Sequence, residues 1–419
     1  MNVLILGSGG REDALAWRLR QSPSVGELLC ASGNPGIARW AACYAIDPCD
    51  AKAVVEFARS REVELVVIGP EAPLVAGIGD ALRAAGFAVF GPNAAAAQLE
   101  GSKGFTKDLC AANAIPTARY VRVETEADAR AALGGFAIPV VIKADGLAAG
   151  KGVTVAMTRA EAESALAEAG DGPMVIEEFL EGEEASLFAL VDGETAIALA
   201  SAQDHKRVGE GDTGPNTGGM GAYSPAPVLT AELERRAMDE IIVPTARAMV
   251  AAGTPFSGVL YAGLMLTSEG PKLIEYNARF GDPECEAIMP RIAGDFAELL
   301  MAVASGRLGE IGKPELSDQS AMTIVVAAQG YPGKPKRGGA IDGVELAERE
   351  PGVTVFHAGT ARHSSGALLA GGGRVLAVTA VADTLANARA RAYRGVDAID
   401  FADGFHRRDI GWRELERTS

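Results

Sequence analysis

The segment from Lys272 to Glu284 carries the side chains with the clearest chemistry. Its letters are KLIEYNARFGDPE, and because side chains alternate along a strand, Glu275, Asn277 and Arg279 share one face. A carboxylate and an amide oxygen suit a hard cation such as Mg²⁺, and a guanidinium grips phosphate or carboxylate groups. The pattern predicts a metal and polyphosphate site, with a polar edge-strand face as the alternative.

A glycine-rich segment, VIKADGLAAGKGVTVA, occupies residues 141–156. Its lysines and central glycines are Lys143, Lys151, Gly146, Gly150 and Gly152. The glycine spacing is too short for a Walker loop, and no Ser or Thr follows the second lysine. Strand-like sequence flanks the segment on both sides, which indicates a hairpin that folds over a triphosphate while its lysines neutralise charge. The alternative is an ordinary solvated hairpin tip.

The chain begins with a strand-like run followed by GSGGRED, residues 7–13. Backbone N–H groups at the start of a helix bind anions, and glycine permits close approach. The dinucleotide fingerprint GxGxxG fails here, because Glu12 stands where its third glycine should be. The segment therefore predicts a phosphate site in preference to an NAD site, and a tight structural turn is the alternative.

Two further segments have weaker signals. In VIEEFLEGEEAS, the strand end Glu177, Glu178, Phe179 and Leu180 offers backbone groups to an adenine edge, and Glu184 suits ribose hydroxyls. Solvated acidic residues are the alternative reading of this segment.

The loop at residues 205–225 is rich in glycine, which is typical of a loop that wraps a ligand. Asp212 and Thr213 are its candidates for contacting an ammonium or hydroxyl group. Neither a GxSxG elbow nor a comparable cysteine context occurs, so the sequence does not support a nucleophilic triad.

Alternating strand and helix patterns position these motifs. Four short apolar strands separated by helical segments predict an N-terminal parallel α/β domain. They are Val3–Gly7, Leu28–Ser32, Leu65–Gly69 and Ala88–Gly91. An α+β region follows, with one long helix at residues 231–251, and a smaller α+β region completes the chain.

Composition excludes several classes of protein. The chain has 419 residues, of which 51 are glycine, and a formal net charge of -16. That acidity argues against a surface for nucleic acid or for an anionic membrane. Its five cysteines form no CxxC pair, and we find no signal peptide or membrane-spanning run. We expect a cytoplasmic protein with free thiols.

Taken together, the motifs resemble the phosphoribosylamine–glycine ligases of the ATP-grasp superfamily. The resemblance is collinear from Met1 to Trp412. It rests on the segments GGREDALAW, GPEAPL, FGP, QLEGSKGFTKD, VIKADGLAAGKGV, VIEEFLEGEEAS, QDHKRVGEGDTGPNTGGMGAYSP, RFGDPE and FHAGT. It implies ligation of glycine to 5-phosphoribosylamine through glycyl phosphate, with ATP as co-substrate, in de novo purine synthesis.

The resemblance also implies a domain plan. An N-terminal α/β substrate domain would span residues 1–102, and a C-terminal α+β domain residues 313–419. The ATP-grasp core would combine residues 103–117 with 187–312, and residues 118–186 would form its mobile lid. The implied partners are small molecules, with transient contact to the amidotransferase that makes phosphoribosylamine. A monomer is expected, with no nucleic acid or membrane partner.

Site residues carry over from the family by position. ATP would contact Lys103, Lys143, Gly146, Gly150, Lys151, Gly152, Glu177, Glu178, Phe179, Leu180 and Glu184. Metal ligands for Mg²⁺ or Mn²⁺ would be Glu275 and Asn277. Substrates would be bound by Gly9, Gly10, Glu71 and Thr213. Catalytic residues would be Asp212, Arg279 and Asp282.

Three departures from the family pattern stand out. Asp13 replaces a usual histidine, Cys285 and Glu286 replace a usual Thr-Gln pair, and the lid is shortened before Met174. The rival hypotheses are a different ATP-grasp ligase, such as a carboxylase or a D-alanine ligase type, a nucleotide-binding module without catalysis, and an NAD dehydrogenase.

Overall fold

The N-terminal region is built on a five-stranded parallel sheet. The computed structural model describes residues 1–146 and 152–417. The strands are β1 Val3–Gly7, β2 Leu28–Ser32, β3 Ala42–Tyr44, β4 Leu65–Ile68 and β5 Ala88–Phe90, in the order β3-β2-β1-β4-β5. The helices are α1 Gly10–Arg20, α2 Ala51–Ser60, α3 Glu71–Val75, α4 Ile78–Ala84 and α5 Gln98–Gly101.

The predicted N-terminal parallel α/β domain is confirmed. The central strand β1 is apolar and wholly buried from Val3 to Leu6, as a strand covered on both faces requires. Two short helices, α3 and α4, lie between β4 and β5. Gly77 separates them with a φ of +80°, a left-handed conformation that ends one helix and precedes the next.

A small antiparallel sheet follows the N-terminal region. Its elements are α6 Lys103–Ala112, β6 Tyr120–Val123, α7 Glu126–Leu133, β7 Val140–Ala144, β8 Val153–Ala156, α8 Arg159–Ala169 and β9 Met174–Glu178. The strand order is β6-β9-β7-β8. Side chains of Ser102, Thr125 and Thr158 cap the three helices by accepting backbone N–H bonds, which is why each helix begins where it does.

The largest sheet has nine antiparallel strands and extends through the rest of the chain. Its path is β16-β15-β10-β11-β14-β17-β22-β19, and β23 pairs with β17. The first part of this region contains β10 Glu183–Asp192, β11 Thr195–Asp204, β12 Arg207–Gly209, β13 Thr213–Asn216, β14 Gly221–Ser224, α9 Ala231–Ala237, α10 Val243–Ala251, β15 Ser257–Thr267, β16 Gly270–Asn277, α11 Glu284–Ile288, α12 Phe296–Ala304 and α13 Leu308–Ile311.

The second part contains β17 Ser320–Ala328, β18 Ala340–Ile341, α14 Val344–Ala347, β19 Val353–His357, β20 Thr360–Arg362, β21 Leu368–Ala370, β22 Arg374–Ala382, α15 Leu385–Asp397, β23 Gly404–Phe405 and α16 Trp412–Arg417. The single helix predicted at residues 231–251 is interrupted by a π-helical turn at Met238–Ile242. Pro244 stands directly after that turn, and its missing N–H accounts for the break in the regular bonding pattern.

The sheets do not follow the predicted domain limits everywhere. The predicted limit at residue 186 falls inside β10, whereas the small sheet already ends at Glu178. Near the limit at residue 313 the nine-stranded sheet is continuous, because β14 pairs with β17. Within residues 1–146 and 152–417, none of the helices combines the length and the apolarity that a membrane crossing needs.

Candidate active site

One deep cleft lies where all these regions meet. It has a volume of about 470 Å³ and is lined by residues from the N-terminal helices α1, α3 and α5, from the small sheet and from the large sheet, including Arg374 of β22. The predicted site residues that line it are Glu71, Lys103, Lys143, Gly146, Gly152, Glu177, Glu178, Phe179, Leu180, Glu184, Glu275, Asn277, Arg279 and Asp282. Predicted residues Gly150 and Lys151 lie outside the described part of the chain.

Two lysines share one buried carboxylate on the small-sheet side of the cleft. Glu177 is 3% exposed, and its two oxygens lie 2.9 Å from Lys107 Nζ and 2.9 Å from Lys143 Nζ. Lys107 also donates to Thr117 Oγ1 at 2.7 Å, and Lys143 to the Ile274 carbonyl oxygen at 3.2 Å. The carboxylate therefore holds two ammonium groups in place, with one positive charge left over for an anion.

A third lysine stands at the start of α6. Asp145 accepts hydrogen bonds from Ser102 Oγ at 3.0 Å and from the Lys103 N–H at 2.6 Å, so β7 is joined to this helix start. Lys103 Nζ donates to the Gly146 carbonyl oxygen at 2.9 Å. Burial lowers the pKa of Lys103, with Glu275 acting in the opposite direction. Lys103 thus lies at the mouth of the glycine hairpin and near the predicted metal ligands.

The predicted metal ligands are both on β16 and both line the cleft. Gly263 lies opposite Glu275 on β15, and a Cβ there would make an ordinary contact of 3.5 Å with Glu275 Cγ. No described residue forms a hydrogen bond or ion pair with the side chain of Glu275 or Asn277. The described residues contain no cluster of three or more His, Cys, Asp or Glu suited to a metal. Two free oxygen donors nevertheless fit Mg²⁺, which often takes one or two protein ligands and completes its shell with phosphates and water.

Arg279 lies between two carboxylates at the N-terminal side of the cleft. Its Nε lies 3.1 Å from Glu71 Oε2, and its guanidinium reaches Glu100 Oε1 at 2.9 Å. Burial opposes ionisation of Glu71, but Arg279 and Arg11 outweigh it and hold its pKa below the usual range. Burial raises the pKa of Glu100 despite Arg279. The guanidinium is therefore fixed in orientation by the protein.

Asp282 is held by an arginine from the C-terminal part of the chain. Arg374 lies 2.9 Å from Asp282 Oδ1 and also donates to the Asp282 carbonyl oxygen at 2.7 Å. Gly9 lies close by, since a Cβ on Gly9 would be 3.7 Å from Asp282 Oδ2. The Gly9 N–H donates to Glu12 Oε2 at 2.6 Å. The start of α1 and the RFGDPE segment thus meet at one end of the cleft.

Glu184 also lines the cleft, but it is not free. Its carboxylate pairs with Lys206 Nζ, which holds the pKa of Glu184 below its usual range. Asp204 lies beside this pair, and burial raises the pKa of Asp204 to about 7 despite Lys206. A ribose hydroxyl at Glu184 would therefore share the carboxylate with Lys206.

The structure does not bring Asp212 and Thr213 to the cleft. Asp212 Oδ1 lies 3.0 Å from Arg407, and Arg413 lies 2.7 Å from Asp212 Oδ2. Asp409 completes this group with a 2.7 Å contact to Arg407, and we call these four residues the Asp212 cluster. Thr213 Oγ1 donates to the Glu210 carbonyl oxygen at 2.9 Å. The same loop instead presents Asn216, Thr217 and Gly218 to the cleft.

The departures from the family pattern have structural counterparts. Asp13 is fully buried and accepts hydrogen bonds from Trp40 Nε1 at 3.0 Å and from the His357 N–H at 2.7 Å, so it joins the N-terminal and C-terminal regions. Burial raises its pKa to about 7. Glu286 is buried under Gly10, where a Cβ would meet Glu286 Oε1 at 2.4 Å. Burial and Asp282 raise the pKa of Glu286.

Sequence reasoning missed several cleft residues. Lys107 had a usable signal, because it stands four positions after Lys103 on the same helix. Asn216 and Thr217 were inside the glycine-rich loop that was singled out. Lys206 was also inside that loop, whereas Arg374 carried no local signal, because its partner Asp282 comes from a distant part of the chain.

Comparisons with known proteins match the chain to one family. Three family models match consecutive parts of the chain: Phosphoribosylglycinamide synthetase, N domain, at residues 1–100; its ATP-grasp (A) domain at 101–285; and its C domain at 321–413. Proteins named phosphoribosylamine–glycine ligase are similar over the whole chain. The one from Brucella melitensis is 56% identical, and the one from Escherichia coli O6:H1 is 51% identical, each over 100% of this chain and 99% of the relative.

Solved structures show the same fold. The phosphoribosylamine–glycine ligase of Thermotoga maritima superposes with a TM-score of 0.84 at 32% identity, covering 98% of this chain and 100% of that one. A biotin carboxylase domain from Hydrogenobacter thermophilus, solved with MgADP, reaches a TM-score of 0.72 at 16% identity, covering 97% of this chain and 91% of that domain, and shares the fold alone. With the family models and the full-length relatives, these findings place the chain in the phosphoribosylglycinamide synthetase family, whose members are ATP-grasp ligases.

Proposed function

We propose that this protein joins glycine to 5-phosphoribosylamine, using ATP and a divalent metal, and releases glycinamide ribonucleotide, ADP and phosphate. The observation that carries the proposal is the placement of Glu275 and Asn277. These two free oxygen donors lie in a cleft where Lys107 and Lys143 are already held by Glu177. A polyphosphate bridged to a metal completes this arrangement of charge.

ATP would lie along the small sheet. Apolar side chains of Val153, Val155 and Met265 line the cleft beside Phe179 and Leu180. Residues 179–180 follow the end of β9, so their backbone groups are outside the sheet pairing and suit the adenine edge. The phosphates would then extend toward the lysines, beside Gly146 and Gly152, which line the cleft.

This placement refines the role of one predicted ATP contact. Backbone groups of Glu177 pair with Tyr120 on one side and Val141 on the other. Its side chain acts on the nucleotide through Lys107 and Lys143. Glu178 lines the cleft at the end of the same strand, and Glu184 is retained as the ribose contact together with Lys206.

The amino acid and the phosphoribosyl group would bind at the N-terminal end of the cleft. Arg279 and Arg374 offer guanidinium groups for the glycine carboxylate and the phosphate being transferred. The start of α1 at Gly9 and Gly10 suits the phosphate of phosphoribosylamine, because helix N-termini bind anions. Glu71 lies beside this end and is a candidate for the ribose or amine.

The chemistry needs no side-chain nucleophile. A glycine carboxylate oxygen attacks the γ-phosphorus, the bond to ADP breaks, and glycyl phosphate forms. The amine of phosphoribosylamine then attacks the acyl carbon, and phosphate leaves. The protein orients the two substrates, stabilises developing charge with lysine and arginine, and excludes the water that would hydrolyse the acyl phosphate.

Mg²⁺ or Mn²⁺ is the proposed metal, held by Glu275 and Asn277; when bound, it neutralises charge on the phosphates. Neither Asp212 nor Thr213 has a direct role in this proposal, and Asp282 acts together with Arg374. We further propose a cytoplasmic monomer with the predicted core, lid and terminal domains, in transient contact with the amidotransferase that supplies phosphoribosylamine.

The test is a ligation assay with ribose 5-phosphate, ammonia, glycine and Mg-ATP. We expect glycinamide ribonucleotide to form with one ADP per product, and no product without glycine. Alanine in place of glycine and bicarbonate in place of glycine are the comparison substrates. ADP release that does not depend on glycine, or product formation with bicarbonate, would refute the proposal.

A further inference from the structure

Cys30 and Cys43 face each other on neighbouring strands of the N-terminal sheet. They are register partners in the parallel pair β2 and β3. Side chains at paired positions of parallel strands point to the same face, and the strands lie about 4.8 Å apart. That spacing falls inside the Cα separation of about 4.4–6.8 Å that disulfides span.

The two sulfur atoms share one small space. Gly33 covers them, and a Cβ on Gly33 would lie 2.4 Å from Cys43 Sγ and 3.7 Å from Cys30 Sγ. Each thiol donates to a backbone carbonyl oxygen, Cys30 to Gly7 at 3.3 Å and Cys43 to Ala41 at 3.7 Å. The proximity of the two thiols lowers the pKa of Cys43 and raises that of Cys30. Each thiol therefore changes the acidity of the other.

The pair is asymmetric in accessibility. Cys30 is fully buried, whereas Cys43 is half-exposed on β3, an edge strand of the sheet. An oxidant from solvent can therefore reach Cys43 first, and the thiolate is the reactive form of cysteine. Cys49 provides the contrast, because it is more exposed but burial and Asp47 raise its pKa.

We propose that Cys30 and Cys43 are a modification site for hydroperoxides, at which one peroxide molecule converts the two thiols into an intrachain disulfide. The Cys43 thiolate attacks an oxygen of hydrogen peroxide, the O–O bond breaks, and Cys43 sulfenic acid and hydroxide form, and the hydroxide takes a proton from solvent to give one water. Cys30 then attacks the Cys43 sulfur, the S–O bond breaks, and the hydroxide leaves as a second water with the proton of Cys30.

Closure of this disulfide acts on the turn that follows β1. Cys30 Sγ donates to the Gly7 carbonyl oxygen at 3.3 Å, and the disulfide has no proton for that bond. The Gly33 N–H still donates to the same oxygen at 3.1 Å. Oxidation therefore removes one of the two hydrogen bonds just described to the Gly7 carbonyl oxygen, at the start of the Gly7–Gly10 turn. The backbone amides of this turn then exchange hydrogen with solvent faster in the oxidised protein.

The test treats the folded wild-type protein with hydrogen peroxide, then maps thiols and cross-linked peptides by mass spectrometry. We expect loss of two of the five thiols, a Cys30–Cys43 cross-link and reversal by dithiothreitol. Cys30→Ser should trap sulfenic acid on Cys43, detected with dimedone, and Cys49→Ser should behave as wild type.

Retention of all thiols, or a Cys43–Cys49 cross-link instead, would overturn the site. Unchanged hydrogen exchange at residues 8–10 in the cross-linked protein would overturn its coupling to the turn.

Discussion

The central cleft and the Asp212 cluster are both dense in charge, but they differ in what they leave unpaired. In the cleft, Glu177 holds two lysines, while Glu275 and Asn277 beside them bond to no described residue. In the Asp212 cluster both carboxylates are matched by arginines. Arg407 there is only 1% exposed.

The difference separates two uses of charge. A buried charge must be paired, because desolvation costs several kcal/mol per ion. The Asp212 cluster meets that requirement within the protein and so fastens the glycine-rich loop to the C-terminal region. In the cleft only part of the charge is paired within the protein. The side-chain oxygens of Glu275 and Asn277 have no described partner and are available to a ligand. The type of residue does not distinguish the two regions, whereas the state of its partners does.

The largest effect is expected at the free acceptor. Glu275→Ala removes a metal ligand, which supplies several kcal/mol in the transition state, so kcat for ligation falls by about 1,000-fold or more. Because Glu275 has no described partner, the free energy of unfolding changes by less than about 0.5 kcal/mol. Glu269→Ala, in the exposed turn before β16, is the control and leaves both quantities unchanged. Ligation by Glu275→Ala within tenfold of wild type would contradict the metal assignment.

A variant of the bridging carboxylate should damage both stability and catalysis. Glu177→Ala leaves Lys107 and Lys143 buried without their shared anion, and we expect the free energy of unfolding to fall by about 3–5 kcal/mol. Ligation also falls, since Lys143 loses its fixed position. Urea unfolding and the KM for ATP measure the two effects.

The control for that variant is Lys143→Met, which leaves Glu177 paired with Lys107. It should lose affinity for ATP with a smaller change in stability. If Glu177→Ala were as stable as wild type, the carboxylate would not be holding the two lysines, and the charge pairing described for the cleft would be wrong.

Much of the fold could be predicted from local sequence. Apolar runs bounded by glycine located β1, β2 and β4, because a strand buried on both faces has no polar positions. The conspicuous motifs located Lys143 and Glu275 for a similar reason, since each lies in a strand whose pattern is local, and Arg279 follows the end of β16 in the same motif. The pairing of the strands then brings these residues into one cleft.

Long-range partners could not be predicted in the same way. Arg374 lies 92 residues after Asp282 in sequence, and no periodicity relates the two. Asp212 was assigned to the substrate because a glycine-rich loop suggested a ligand, but its arginine partners come from the far end of the chain. The interruption of the helix predicted at residues 231–251 could have been predicted from Pro244, which is visible in the sequence.

A smaller effect should test whether Asp212 is structural. Asp212→Ala removes a partner of buried Arg407, so we expect the free energy of unfolding to fall by about 1–3 kcal/mol. Ligation should fall less than tenfold, because Asp212 does not line the cleft. Arg413→Ala is the matched control, since that side chain is 48% exposed and its pair contributes about 1 kcal/mol or less. If Asp212→Ala lost ligation while its free energy of unfolding stayed unchanged, Asp212 would be a catalytic residue after all.

The last prediction concerns acid stability beside the Asp212 cluster. Burial and Arg407 lower the pKa of His205 from 6.5 to about 4, so the folded state holds this ring neutral. Unfolding then takes up a proton between those two values, and the free energy of unfolding falls as the pH drops, by about 3 kcal/mol over the whole window. His205→Gln keeps an acceptor for the Gly411 N–H and lacks this titration. Asp13, whose raised pKa has the opposite effect, is common to both proteins and cancels. The free energy of unfolding of both proteins is measured with urea at pH 7, 5.5 and 4.5. We expect the stability of the variant relative to wild type to increase as the pH falls. A difference that does not change with pH would show that folding does not shift the pKa of His205.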